Sequence, residues 1–456
     1  MADTRAVLEA SAARWFARLW SVAILAHLIG NPRVGQLWPN TTALGVTTAL
    51  LGLIAAVLVV FPDDRRILSA SAVGVLVVAW FEAPFIGNHW VVASFVSLAI
   101  LFAQSRRDPW VWFSRTGRWI LLGFYSWAAF NKLNAGFFDP DVSCGVVYAN
   151  QWLEAAGLGA FAAGGLVGLG VAAGSALIEL AVPVLLAIPR TRRWGVLLGF
   201  VFHGVISLDF GQHFYDFTAL LLAMFTLFLP DDVLAALERR ITAPRRTQML
   251  IAAVPALLVL VSLGPMNAAT VWLLTKGVFI VWIPFLLWAL VSTHQQMRRR
   301  GDLDVDLRLR DPIAIGLVAI VVFNGLTPHL ELKTGYGWNM YANLVTAQGE
   351  SNHFVIRRTL PLTDVQERLA EVEQSNDPGL QAYIDSGYLL PERRLLHYLS
   401  DHRQTSVRYT VGAETIEGTG AQLGVPLPVL VEKWQLFRAV DARRPVRCQT
   451  TWLPAR

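Results

Sequence analysis

The chain has 456 residues, 54% hydrophobic and 16% charged, with a formal net charge of +5. Soluble domains carry about 25% charged residues, so this composition argues against a soluble globular protein and for a polytopic membrane protein with a polar tail. The excess positive charge lies in short connections between apolar runs, which makes it an orientation signal and excludes nucleic acid as the expected partner.

The N-terminal segment carries Arg5, Arg14 and Arg18 beside Asp3 and Glu9, and does not read as a secretory signal. Apolar runs long enough, or nearly so, to cross about 30 Å of hydrocarbon then recur at 13–30, 41–61, 67–86, 89–104, 119–135, 160–188, 194–208, 213–229, 248–265, 270–292 and 312–328. They predict a helical bundle of about eleven spans, or nine to eleven if a short run is re-entrant. Connections alternate in charge. Arginine is dense at the N-terminus, at Arg65 and Arg66, from Arg106 to Arg118, from Arg190 to Arg193, from Arg239 to Arg246 and from Arg298 to Arg310. The intervening connections are nearly bare: 31–40 holds only Arg33, and 136–157, 209–212 and 266–269 hold no Lys or Arg. The positive-inside rule places the N-terminus in the cytoplasm, and everything after 328 outside.

The tail, 329–456, is polar and reads as a small α+β extracytoplasmic domain beside the transmembrane domain 1–328. Thr363 to Gln374 looks helical, with Thr363 and Gln366 as a capping box. Leu380 to His402 looks helical with a break near Pro391, Ser406 to Gly418 reads as a hairpin bending at Gly412, and Leu427 to Val440 as an amphipathic helix. Cys144 and Cys448 both fall outside in this topology. An oxidising compartment permits a bridge between them, and two free thiols are the alternative.

Ionisable groups inside a bilayer are costly and are functional by default. Of the 38 Lys and Arg residues only Lys132, Lys276, Lys333 and Lys433 are lysines. An amine kept in an apolar run where arginine serves elsewhere points to a need arginine cannot meet, because a desolvated amine can lose its proton and a guanidinium cannot. Lys132 shares a helical face with Tyr125, Ala128 and Ala129, and the two alanines admit a close helix or ligand; the competing reading is a lysine that snorkels to the interface. Lys276 reads as such a snorkeler. Asn88 and His89 open a span, either as a helix cap with an interfacial histidine or as an oxygen-binding pair. Glu82, His203, Asp209, His213 and Asp216 place further polar groups at similar depth on other spans, with Glu179 deeper, where they form either a pocket or isolated hydrogen-bonded residues. Pro183, four residues after Glu179, frees the Glu179 carbonyl. His213 and Asp216 have weak metal-ligand spacing and no HExxH or cysteine element supports them, so no metal is expected.

The ordered segments Gly87-Asn88-His89, FNKLNAGFF around Lys132, Ile178 to Pro230 and Gly335 to Ile356 resemble the vitamin K-dependent gamma-carboxylase family and its bacterial membrane relatives, the HTTM proteins. The resemblance covers about residues 10 to 360 and, more loosely, the tail. It implies that Lys132 is the base that deprotonates a reduced vitamin K or menaquinol, that Asn88 and His89 handle the oxygenated quinone, and that Glu179 and His203 support them; Glu82, Tyr125, His213 and Asp216 are further supporting candidates from their places on the spans. It also implies O₂ and CO₂ as co-substrates, a small peptide or Glu-containing substrate, a lyase-type carbon–carbon chemistry, and residence in a bacterial plasma membrane. Where the animal enzymes carry a second lysine and an acidic residue, this chain has Asn131 and Asn134, and its exported region is much shorter. The alternatives are a non-catalytic membrane protein for maturation, export or immunity of a small peptide, and a transporter or binder of a lipid or anion.

Overall fold

The structure is a computed structural model that describes residues 2–30, 41–161, 164–211, 214–241, 243–264, 267–300 and 303–449. It is mostly helical. The helices are α1 (Ala2–Gly30), α2 (Thr41–Val60), α3 (Arg65–Glu82), α4 (Asn88–Ala103), α5 (Pro109–Phe130), α6 (Cys144–Ala155), α7 (Gly165–Ala187), α8 (Arg192–Ile206), α9 (Tyr215–Thr226), α10 (Asp231–Glu238), α11 (Arg245–Ser262), α12 (Ala268–Trp272), α13 (Phe279–Arg298) and α14 (Pro312–Leu326). A π-turn at Leu273–Gly277 joins α12 to α13 in one continuous rod.

A helix covers each of the eleven apolar runs. Among the described residues, five helices are long and apolar enough to cross a membrane, namely those at 4–30, 42–60, 165–187, 245–262 and 268–298. The helices Asn88–Ala103, Tyr215–Thr226 and Pro312–Leu326 are apolar but shorter. Large apolar side chains point outward from α2, α7, α11, α13 and α14, for example Leu50, Leu166, Leu250, Ile280 and Ile320. A soluble monomer rarely exposes so extended an apolar surface, so the architecture is compatible with an integral membrane protein. The core is built around α1, which packs against α2, α9 and α10 and buries Trp15 and Trp20, the latter donating to Ser71 Oγ on α3 at 3.1 Å.

The two ends of the bundle differ. Arginine-rich connections meet at one end: Arg14 pairs with Asp63 at 3.1 Å, Arg18 with Glu238 at 3.1 Å, Arg106 with Asp311 at 3.3 Å and Arg115 with Asp306 at 2.5 Å. The tail packs on the other end. The Tyr336 hydroxyl donates to the Pro84 carbonyl at 2.6 Å, Lys433 donates to the Ala83 carbonyl, and Cys144 is disulfide-bonded to Cys448.

The tail holds a short hairpin, β1 (Thr346–Ala347) and β2 (Glu350–Ser351), and then β3 (Leu369–Ser375), α15 (Pro378–Ser386), β4 (Tyr388–Pro391), α16 (Glu392–Asp401), β5 (Ser406–Val411), β6 (Glu414–Thr419), α17 (Gly420–Leu423), α18 (Val429–Trp434) and β7 (Val440–Asp441). The five strands β6-β5-β3-β4-β7 form an antiparallel sheet. The predicted hairpin is β5–β6, with Gly412 at positive φ in its turn. The predicted helix from Thr363 to Gln374 is not formed. Thr363 Oγ1 donates to the Glu331 carbonyl at 3.0 Å and Gln366 Nε2 to the Thr346 carbonyl at 2.8 Å, so neither side chain caps a helix, and β3 takes partners on both sides. Pairing overrides local helix preference here. Leu380 to His402 is interrupted by Gly387, left-handed at φ 65°, and by β4. In the Leu427 to Val440 stretch the helix is confined to α18, which follows Pro426 and Pro428.

Candidate functional site

The predicted span 119–135 ends earlier, at Phe130, so Lys132 stands in a turn just past α5 rather than inside the helix. Residues 329–354 clasp that turn. Asn131 is fully buried, donates to the carbonyls of Gly337 and Trp338 at 3.3 and 3.1 Å, and accepts from His329 Nε2 at 2.9 Å. Asn134, equally buried, donates to the carbonyls of Asn131 and Ala342 and accepts from the Phe137 amide at 2.9 Å. His353 Nε2 donates to the Phe130 carbonyl at 2.9 Å, while its Nδ1 accepts from the amides of Val355 and Ile356. That pattern fixes a neutral imidazole, and burial holds its pKa below the usual histidine range. Burial, with a smaller contribution from His353, pushes His329 down to about 4. The clasp uses non-glycine residues in the left-handed region: Tyr336, Trp338, Tyr341 and Asn343 have φ between 51° and 59°. Each such residue costs roughly 1–3 kcal/mol, a strain that tends to gather at functional sites.

The clasp leaves the Lys132 amine facing α7. Its Nζ lies 2.8 Å from Glu179 Oε2 and donates to the Met340 carbonyl at 3.4 Å. Only 6% of the lysine side chain and 15% of the glutamate side chain are exposed, so the pair is largely shielded from solvent. Both line a cavity of about 560 Å³ bounded by α5, α6, α7 and α8. Its walls are mainly aromatic and aliphatic, including Phe124, Trp152, Phe202, Phe217 and Tyr341. His203 Nε2 and the Tyr125 hydroxyl, 2.8 Å apart, add a second polar pair, and Asp209 is a further lining residue. Gly170 and Val205, both exposed, also line the cavity, so it reaches the bundle surface between α7 and α8. The volume falls within the range of about 300–1,000 Å³ for small-molecule sites, and an apolar wall with a few convergent polar groups is their usual chemistry.

The other predicted site residues form a separate cluster. Glu82 ends α3 fully buried, and its carboxylate lies 3.1–3.2 Å from His27 Nε2 on α1. His27 Nδ1 is 3.1 Å from His89 Nε2 and 3.6 Å from Asp216 Oδ2, and His89 Nε2 is 2.9 Å from Asp216 Oδ2. Trp90 stacks on the His27 ring at 3.7 Å. Asn88 begins α4 and its side-chain oxygen is buried without a hydrogen-bond partner among the described residues. Neither Asn88 nor His89 lines the chamber that holds Lys132. Phe217 stands between the two sites, with its ring 5.9 Å from His89 and 5.3 Å from His203. His213 lies outside the described residues. Lys276 donates to the Phe210 carbonyl at 2.5 Å at the surface.

Sequence reasoning missed His27, His329 and His353. His27 is a lone histidine at the end of a long apolar run, which is a visible if weak signal; the other two sit in the segment 335–356 or just before it, where only the motif order drew attention. Comparison of the chain with models of protein families, with curated proteins and with solved structures finds no match.

Proposed function

We propose that the chain is a polytopic membrane enzyme of the vitamin K-dependent gamma-carboxylase and HTTM type, acting on a lipophilic quinol in the chamber beside Lys132. The observation that carries this reading is the Lys132–Glu179 pair, held at 2.8 Å in the wall of an aromatic cavity that reaches the bundle surface between two helices. A portal between helices suits a ligand dissolved in the bilayer. The quinol is reduced vitamin K or menaquinol, and when bound with O₂ it supplies the strong base that no side chain can provide for removing a weakly acidic carbon-bound proton before CO₂ adds. Lys132 passes its own proton to Glu179 and then accepts the quinol proton, and the Tyr125–His203 pair anchors a quinol oxygen from the facing wall. Asn88 and His89 act from behind Phe217. The arginine-rich end faces the cytoplasm of a bacterial plasma membrane, and the tail lies outside, where a small Glu-containing peptide can reach the chamber.

The test is mass spectrometry of co-expressed Glu-rich peptides for a gain of one CO₂, with and without O₂, alongside organic extraction of the purified protein for bound quinone. Absence of carboxylated peptide, of quinone epoxide and of bound quinone together rejects the reading. One competing reading draws on the same pair: an amine already neutralised by Glu179 suits a non-catalytic binder of a lipid or peptide, and Lys132→Arg separates the two as argued below.

A further inference from the structure

The cluster behind Phe217 has the geometry of a metal site. Three donor atoms, His27 Nδ1, His89 Nε2 and Asp216 Oδ2, form a triangle with edges of 3.1, 2.9 and 3.6 Å. Donors bound at about 2.0–2.1 Å to a tetrahedral zinc ion stand about 3.3–3.4 Å from one another. The triangle therefore accepts such an ion just above its plane with almost no side-chain movement.

The surroundings fit as well as the donors do. His27 Nε2 faces the Glu82 carboxylate at 3.1–3.2 Å, which leaves the Nδ1 lone pair pointing into the triangle. A carboxylate on the far nitrogen of a ligating histidine is the usual outer support of such sites. Trp90 stacked at 3.7 Å fixes the plane of the same ring. A side chain at Gly87 would place its Cβ 2.5 Å from the His89 ring, so glycine there leaves the second imidazole room for its position. Two carboxylates, Glu82 and Asp216, stand beside the two imidazoles at this spot. Glu82 is fully buried and the His27 side chain is 2% exposed, whereas those of His89 and Asp216 are 17% and 13% exposed, so the triangle is open on one side only.

We propose that His27, His89 and Asp216 bind a first-row divalent metal ion of the zinc class, with Glu82 as the outer carboxylate that orients His27. Three protein donors leave a fourth position for water or an oxygen ligand, the pattern of sites that keep an open coordination place. The donors come from three helices far apart in the chain, so no spacing motif announces them. The inference shares His89 with the quinol reading but does not rest on that reading. It concerns the other side of Phe217, and its readout is metal content rather than turnover.

The experiment uses the full chain purified in detergent, stripped with chelator, then reloaded separately with zinc chloride and cobalt chloride. The expected result is one tightly held zinc ion per chain, and a cobalt form with the visible absorption of tetrahedral coordination. His27→Ala and Asp216→Asn lose the ion, Glu82→Gln weakens its binding about 10–100-fold, and Lys132→Met retains it. A hydrogen-bonded quartet without a metal is the competing arrangement. It predicts no stoichiometric ion in the reloaded protein, or an ion retained equally in the His27→Ala and Asp216→Asn forms, and either result overturns the proposal. Should the ligand variants elute as aggregates, the cobalt spectrum of the unaltered chain decides by itself. Metal retained with no quinone chemistry rejects only the quinol reading, and the reverse outcome rejects only the metal site.

Discussion

Lys132 Nζ and Glu179 Oε2 stand 2.8 Å apart, the one in a turn after α5 and the other in mid-α7. Nothing in their separation along the chain brings them together. Helix packing and the clasp from the tail do, and the amine is thereby fixed in the chamber wall instead of reaching for the interface. If the amine works as a base, Lys132→Arg keeps the charge and the partner but cannot give up its proton. Positioned acid–base groups contribute about 10²–10⁴-fold, so quinol oxidation by the arginine form should fall by that factor while bound quinone remains. Retention of a large part of the activity by Lys132→Arg would point instead to a purely ionic role. Glu179→Gln leaves the amine without its counter-charge and should lower thermal stability in detergent as well as turnover, since removing one partner of a buried pair costs about 3–5 kcal/mol.

The two asparagines that flank Lys132 make the clasp. Asn134 makes contacts to Ala342, Asn131 and Phe137, all at full burial. Losing the side chain takes this partner from two buried carbonyls and a buried amide, at about 1–3 kcal/mol for each group left unsatisfied. Asn134→Ala should lower the melting temperature and expose the turn to proteolysis. Asn131→Ala should do the same and also release His329. A melting profile unchanged in both variants would show that the tail docks without this turn.

The disulfide between Cys144 and Cys448 closes a loop over 304 residues of separation and ties the last part of the tail to α6. Both cysteines of the chain are in it, so a maleimide should label the native protein nowhere and the reduced protein at two positions. Removing a native disulfide typically costs about 2–5 kcal/mol in small secreted domains. Here Cys144→Ser should loosen the tail's attachment selectively, seen as earlier proteolysis near the C-terminus with the bundle's own melting little changed.

Much of the helical architecture was legible because a helix lies in each of the eleven apolar runs, and apolar runs need no tertiary knowledge to find; α6 and α10 fall outside those runs. Lys132, Glu179, His203 and Tyr125, read from three apolar runs, line one cavity. What the sequence could not reveal is which way each helix turns its polar residue. His89 and Asp216 have suitable depth yet face His27, with the Phe217 ring on the chamber side. In the tail, Thr363 and Gln366 carry the right residue types for a cap. Their hydrogen bonds go to Glu331 and Thr346, which only the fold brings near.

Lys333 offers a pH test in the tail. It is buried, and desolvation pushes its pKa from 10.5 down to about 8. Below about pH 8 the amine is charged in both folded and unfolded chains, so the full penalty of burying the charge is present. Between about 8 and 10.5 the folded chain gives up its proton first and the penalty fades; above that range neither form is charged. Stability from this group therefore rises with pH through that window. Lys333→Met should stabilise the protein at neutral pH by on the order of 3 kcal/mol. The gain should shrink towards zero above the lysine's unfolded value. Melting curves of both forms at the two conditions check the sign, and an equal gain at both would mean the amine is not desolvated.

Gly174 lies on α7 in the chamber wall, and a Cβ built there meets no atom within 4 Å. A side chain at this position therefore projects into the cavity instead of into a neighbouring helix. Replacing glycine in a helix interior by a residue with a side chain is favourable by roughly 0.5–1 kcal/mol in backbone terms. Gly174→Phe should therefore leave the melting temperature unchanged or raised while it fills part of the 560 Å³ that a quinol ring would occupy. The measurement is bound quinone per chain after extraction, set against thermal stability in the same preparation. Less quinone with an intact fold places the ligand in this chamber. Undiminished quinone in Gly174→Phe would move it elsewhere on the bundle and leave the Lys132–Glu179 pair without its proposed substrate.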